Sequence, residues 1–157
     1  MKYKLLLILF IALVLRLINI NQSLWLDEAA QISKSIKPLT QLFDQAIVPH
    51  PPLYRILMHY WMYLGKSEII LRLPSVIFGL VTVYLVFILA QEFCRKWKIN
   101  QKLTQFISFG TALILSTNQY HVYYSQEFRP YALACLLGTV STYYFIKNKW
   151  ILSQVSR

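Results

Sequence analysis

Apolar residues fall along this chain in long runs, not in short alternations. The first run, Leu5 to Ile20, carries one charge, Arg16. The second is uncharged from Leu73 to Ala90 and closes near residue 92. The third, Leu103 to about Gln119, is also uncharged, and the fourth extends from Pro130 to Ile146. A helix needs roughly 20 residues, with a range of about 17–25, to cross a hydrocarbon core of about 30 Å. The pattern predicts an all-α, polytopic membrane protein with spans at about 5–20, 73–92, 103–119 and 130–146.

The stretch between the first two runs has a different period. From Ala29 to Ile47, the residues Ile32, Ile36, Leu39, Phe43 and Ile47 recur every three or four positions, which is a helical stripe. Pro38 divides it into two short amphipathic helices. Pro49-His50-Pro51-Pro52 predicts an extended corner, with Pro52 opening the next helix. There Leu53, Ile56, Leu57, Tyr60, Trp61 and Leu64 share one face, and Arg55, His59 and Met62 lie off it. This helix is too short to span, so it is expected to lie in the membrane interface.

Charge orients the runs. Lys2 and Lys4 precede the first, Arg95, Lys96, Lys98 and Lys102 fill the gap between the second and third, and Lys147, Lys149 and Arg157 follow the fourth. By the positive-inside rule both termini are inside, and residues 21–72 and 120–129 form outer loops. Mean hydropathy of +0.46, 15% aromatic and 14% charged residues agree with the membrane class. The net charge of +10 is then mostly a topology signal. No basic stripe stands on a soluble fold, so no nucleic-acid partner is expected. The first run lacks a small-residue cleavage pattern and reads as a retained anchor. Cys94 and Cys135 fall at different depths, too far apart to bridge, and are expected to be free thiols in a packed interior. Gly79, Gly110 and Gly138 fall one in each later run. They either permit close helix approach or are merely tolerated there.

The chemistry sits just outside the first run. Asp27 and Glu28 are adjacent carboxylates at the edge of a hydrophobic segment, in a chain with six acids in all. An ionisable group so placed reads as a functional site; the bland alternative is a solvated helix N-cap. Arg16 is the second such group, although its stem is long enough to snorkel outward. Glu127 and Arg129 fit a simple helix start as well as a site. Asp27, Glu28, His50, Arg55, Arg72, Glu127 and Arg129 all map to the outer surface, together with the tyrosines Tyr120, Tyr123 and Tyr124. Arginines can grip a phosphate by paired hydrogen bonds, and a carboxylate can take a proton from an attacking hydroxyl. A groove beside the interfacial helix suits a lipid tail. The set points to transfer of a group from a lipid phosphate. His50 and His59 read as interfacial structure, because no three-ligand zinc spacing is present. No cofactor is required, although Asp27 and Glu127 could hold Mg²⁺ or Mn²⁺ with phosphate oxygens.

At these residues the chain resembles a known group. Trp25-Leu26-Asp27-Glu28-Ala29 is similar to the first-loop acidic motif of the GT-C superfamily of membrane glycosyltransferases. His50-Pro51-Pro52-Leu53-Tyr54 with Leu71-Arg72-Leu73-Pro74-Ser75 resembles its second signature, and Tyr124 to Leu133 its third. The nearest branch is the bacterial and archaeal one related to protein O-mannosyltransferases and the lipid A aminoarabinose transferase. The resemblance implies an inverting enzyme of the cell membrane with its active side outward. It would move a sugar from a polyprenyl-phosphate donor to an acceptor hydroxyl. Asp27 matches the catalytic base, Glu28 its neighbour, and Glu127 the acid of the next outer loop. His50, Arg55, Arg72, Arg129 and Tyr124 fall where the substrate and its phosphate would be bound. Members of the group continue through more spans, so residues 1–157 correspond to the N-terminal portion. The remaining spans are expected from a longer product or from a complementary membrane subunit. The alternatives are a non-catalytic fragment or assembly subunit and, less favoured because the charges lie outside the runs, a transporter subunit.

Overall fold

The computed structural model describes residues 2–42 and 52–155, and everything regular in them is helical. The elements are α1 (Lys2–Leu17), α2 (Leu26–Ser35), α3 (Leu39–Leu42), α4 (Leu53–Trp61) running into a 3₁₀ turn (Met62–Leu64), α5 (Glu68–Lys96), α6 (Gln101–Thr117), α7 (Gln119–Tyr124) and α8 (Tyr131–Val155). Helix α5 is the spine, with α1, α6 and α8 packed around it. Among the described residues, α5 is the one helix long and apolar enough to cross a membrane. Helices α1 and α6 have 16 and 17 residues. At 1.5 Å per residue they reach about 24 and about 26 Å, short of a core of about 30 Å.

The helix limits follow local chemistry. Helix α1 stops at Leu17, before the predicted Ile20, and Asn19 turns the chain at φ 60°. The amide of Gln126 donates to the carbonyls of Leu15, Arg16 and Ile18 at 3.1, 3.3 and 2.6 Å, capping that end from a distant loop. Helix α2 ends at Ser35, before Pro38, as the stripe predicted. Helix α5 begins five residues before the predicted Leu73. Ser67 caps it by accepting from the Ile70 N–H at 3.4 Å. Arg72, expected in a loop, therefore lies inside a helix. Pro74 also lies inside α5 and cannot donate to the Ile70 carbonyl four residues back. The indole N–H of Trp61 fills that vacancy at 2.7 Å. Gly65 makes the turn between these elements at φ 156°, where a Cβ would run into Ile70.

Two apolar clusters hold the bundle. One joins Tyr54, Met58, Met62, Leu71, Phe128 and Leu133 near the start of α5. The other joins Ile8, Ala12, Val83, Phe87 and Ala112 nearer its end. Burying a large apolar side chain fully is worth about 1.5–3 kcal/mol. Helix α4 turns its predicted apolar stripe outward. Leu53, Leu57, Tyr60 and Leu64 are exposed, whereas Tyr54, Arg55, Met58 and Met62 are buried. The physical reason is that the off-stripe side packs on α2 and the start of α5.

One expectation is corrected. Cys94 is buried, but Cys135 is exposed; both are unbridged. Of the three glycines, Gly79 meets close neighbours, while a Cβ at Gly110 or Gly138 would face open space. Pro49–Pro51, Phe43, Ile47 and the site candidate His50 lie outside the described residues.

The packing fixes the helix directions. Arg16 lies against Gly79 and Arg72 reaches the Ile20 carbonyl, so α1 runs antiparallel to α5. Helix α8 runs parallel to α5, from Arg129 and Leu133 at one end to Lys147 beside Arg95 and Lys96 at the other. Lys4, Lys98 and Lys102 share that second end. Asp27, Glu28, Glu68 and Glu127 gather at the first.

Candidate functional site

Glu28 is the knot of the first end. It is the third residue of α2, and its Oε2 accepts from the N–H of Trp25 at 3.2 Å, as the returning half of a capping box. Arg72 reaches it from α5 with two hydrogen bonds, Nε to Oε1 at 2.9 Å and Nη2 to Oε2 at 2.6 Å. The N–H of Phe128 donates to Oε1 at 2.7 Å. One carboxylate thus ties together three segments of sequence, 25–29, 71–75 and 124–133. Both partners are almost wholly buried. Burial works to raise the Glu28 carboxyl, but the bonds from Arg72, Phe128 and Trp25 outweigh it and hold the group below its ordinary value of 4.5.

Arg72 is saturated. Its Nη1 donates to the carbonyls of Ile20 and Gln22 at 2.9 and 2.7 Å, and Nη2 also to that of Ser23 at 3.3 Å. With the two bonds to Glu28, all five N–H groups of the guanidinium are engaged. Arg72 therefore holds loop 20–23 and α2 against α5, and has no donor left for a ligand. Ser75, one turn further along α5, donates to the Glu127 carbonyl at 2.6 Å. The hydroxyl of Tyr54 is buried beside Ser75, and burial pushes it above its ordinary value.

Asp27, the neighbour of Glu28, points the other way. Its side chain is 69% exposed and pairs with Arg129, which is 28% exposed. Arg129 also donates to the Tyr131 hydroxyl at 2.9 Å and lies 4.9 Å from the centre of that ring. Tyr124 meets Tyr131 edge-on at 4.8 Å. Burial opposes the charge of Arg129, but Asp27, Tyr131 and Glu127 more than offset it. Glu127 in turn accepts from the hydroxyl of Tyr123, which that bond holds above its ordinary range. Glu127, Tyr123 and Arg72 line a cleft of about 460 Å³ with Trp25, Gln22, Asn19 and Gln126. Asp27 is thus exposed beside the half-buried Arg129 and Glu127, next to a cleft and backed by the Glu28 knot.

Next to the cleft-lining Leu15 lies a buried cation. Arg16 is fully buried and does not snorkel. Its Nη1 donates to the carbonyls of Ala12 and Ser116 at 2.8 and 3.3 Å, and Nη2 to Nδ1 of His121 at 2.6 Å. An arginine can only donate, so His121 is neutral and carries its proton on Nε2. Burial, and then the charge of Arg16, pushes His121 down to about 4. Gly79 makes room for this arrangement. A Cβ there would collide with Ser125 Oγ and stand 2.9 Å from Arg16 Nε. Gly79→Ala is expected to lower stability by about 1–3 kcal/mol through overpacking. Gly110→Ala, facing open space in a helix, is expected to raise it by up to about 1 kcal/mol. Thermal unfolding of the two variants decides this, and equal shifts of the same sign would remove the steric account of Gly79.

The predicted residues thus divide. Asp27, Glu127, Arg129 and Tyr124 come together at the surface, and Glu28 and Arg72 come together below it. Arg55 is buried on α4 with its Nε unpaired, and burial lowers its pKa. Among the described residues no three metal-ligating side chains converge. A divalent ion between Asp27 and Glu127 would also have to displace Arg129. Sequence reading did not single out Gln126, Ser75 and His121 as parts of the site. Gln126 and His121 each act through one side chain that bonds to the end of α1, which leaves no periodic trace in sequence. Comparison of the chain with protein-family models, curated proteins and solved structures finds no match.

Proposed function

We propose that this chain is a unit of a membrane-embedded glycosyltransferase of GT-C type, with its four long helices crossing the bilayer and the Glu28 end outside. In this reading it moves a sugar from a polyprenyl-phosphate donor to an acceptor hydroxyl. The observation that carries the reading is the convergence of the three motif segments on one carboxylate, Glu28, which leaves Asp27 exposed beside Arg129 and Glu127. The buried pair Glu28–Arg72 then serves as scaffold, and Asp27, Arg129 and Glu127 do the chemistry.

The step is a single displacement. The acceptor oxygen attacks the anomeric carbon from the side opposite the phosphate. The bond from that carbon to the phosphate oxygen breaks, and its electron pair leaves on the lipid phosphate. Asp27 takes the acceptor proton as the new bond forms. Arg129 neutralises charge growing on the phosphate. Inversion at the anomeric carbon follows from one in-line attack. At rest Arg129 holds Asp27. An arriving phosphate competes for the guanidinium and frees the carboxylate, so donor binding arms the base. Glu127, steadied by Tyr123, orients the sugar in the cleft.

Binding of a panel of polyprenyl-phosphate monosaccharides to the purified chain tests this. Arg129→Gln is expected to weaken binding about 10- to 100-fold, the value of a charge-assisted hydrogen bond to a phosphate. Binding no stronger than that of polyprenyl alcohol would overturn the assignment.

A further inference from the structure

The last turn of α5 lies beside the turn of α8 that carries Ile146 and Lys147, at the end away from Glu28. Between them is a second cleft, about 190 Å³, lined by Glu92, Arg95, Lys96, Ile146 and Lys147. Three cations against one acid leave it a net charge of +2. Arg95 pairs with Glu92 across one helical turn at 3.1 Å, yet its side chain is 71% exposed, so most of the guanidinium is open. Lys147 comes from a different helix, with its amine 5.5 Å from the centre of the Tyr143 ring.

The bland explanation of Arg95 and Lys96 is that they complement the dipole at the end of α5. That does not extend to Lys147, which lies inside α8 and lines the same gap. Exposed aromatic rings neighbour the lining residues along the two helices: Phe93 and Trp97, 6.1 Å apart, on either side of Arg95 and Lys96, and Phe145, which precedes Ile146 on α8. Cations facing a gap between helices, with exposed aromatic residues beside them, suit an anionic head group that carries an apolar tail.

We propose that this cleft seats the phosphate head group of an anionic phospholipid, with Ile146 and the neighbouring aromatic residues against its glycerol and upper chains. The proposal rests on the membrane reading and not on the transfer chemistry, so it stands or falls apart from Asp27. Lys4, Lys98 and Lys102 share this end of the bundle but do not line the cleft. They separate a built site from a diffuse positive field.

The test is lipid retention by the purified chain in neutral detergent, read by native mass spectrometry. The probes are phosphatidylglycerol, phosphatidylcholine and tail-less glycerol phosphate. Phosphatidylglycerol is expected to stay bound where phosphatidylcholine does not, and glycerol phosphate at equal concentration is expected not to displace it. The combined variant R95Q/K96Q/K147Q is expected to lose about 10- to 100-fold in retention, while K4Q/K98Q/K102Q loses much less. K147Q alone removes one exposed amine without threatening the fold and is expected to cost about fivefold. Equal losses in the two triple variants, retention of both lipids alike, or displacement by glycerol phosphate would each overturn the proposal.

Discussion

Glu28→Ala is expected to cost about 3–5 kcal/mol of stability, the usual penalty for stranding one member of a buried ion pair. The substitution removes both hydrogen bonds from Arg72 and those from the N–H groups of Phe128 and Trp25. It leaves a guanidinium 3% exposed with its charge uncompensated. Asp27→Ala, one residue away, is the control. Its partner is partly exposed, and such pairs contribute about 0–1 kcal/mol. Trp25 lies beside the knot, so its fluorescence can follow thermal unfolding of both variants. Acid should act through the same group. The folded pKa of Glu28 lies below its ordinary value, so its contribution is complete above that value and is lost as pH falls through the lowered one. The wild-type chain should therefore lose stability on strong acidification, and Glu28→Ala should lose less over the same range. If the Ala variants at 27 and 28 melt within about 1 kcal/mol of each other, Glu28 is not holding the three segments together.

Asp27→Asn carries the second large effect, on turnover. It keeps the shape and the exposure but removes the proton acceptor. Sugar transfer from a radiolabelled polyprenyl-phosphate donor, in a form of the protein competent for transfer, is expected to fall by roughly 10²–10⁴-fold, the span of a general base. Donor binding should persist or tighten, because Arg129 loses its resting partner. The paired measurement separates two roles. A base variant loses turnover with binding intact, whereas loss of a merely positioning contact would lower both together. Turnover within a few-fold of the parent would leave Asp27 as a counter-ion of Arg129 and no more.

Much of the architecture was legible in the pattern of apolar runs. The four runs mark the four long helices, Pro38 marks the break after α2, and Asp27-Glu28 marks the important turn. The division of labour between those two acids was not legible. Adjacent residues at the start of a helix point about 100° apart, and only the packing of α5 and the 124–133 segment decides which is buried. Arg72 was misplaced for a related reason. A charge beside Leu73 looks like the edge of an apolar run, but the helix starts earlier, at the Ser67 cap, and carries the arginine inward to a carboxylate 44 residues away in sequence. Arg16 is long enough to snorkel outward, but it is buried and donates to a histidine 105 residues away in sequence. The outward stripe of α4 was read correctly as a set of neighbours. Periodicity groups residues on a face without saying what that face touches.

The bond from Trp61 to the Ile70 carbonyl has a mechanical consequence. Pro74 leaves a gap in the hydrogen-bond ladder of α5, and an unsupported ladder is where a helix bends. A side chain anchored at the end of α4 bridges that gap. The first turns of α5, with Arg72 and all that it grips, are thereby splinted to α4.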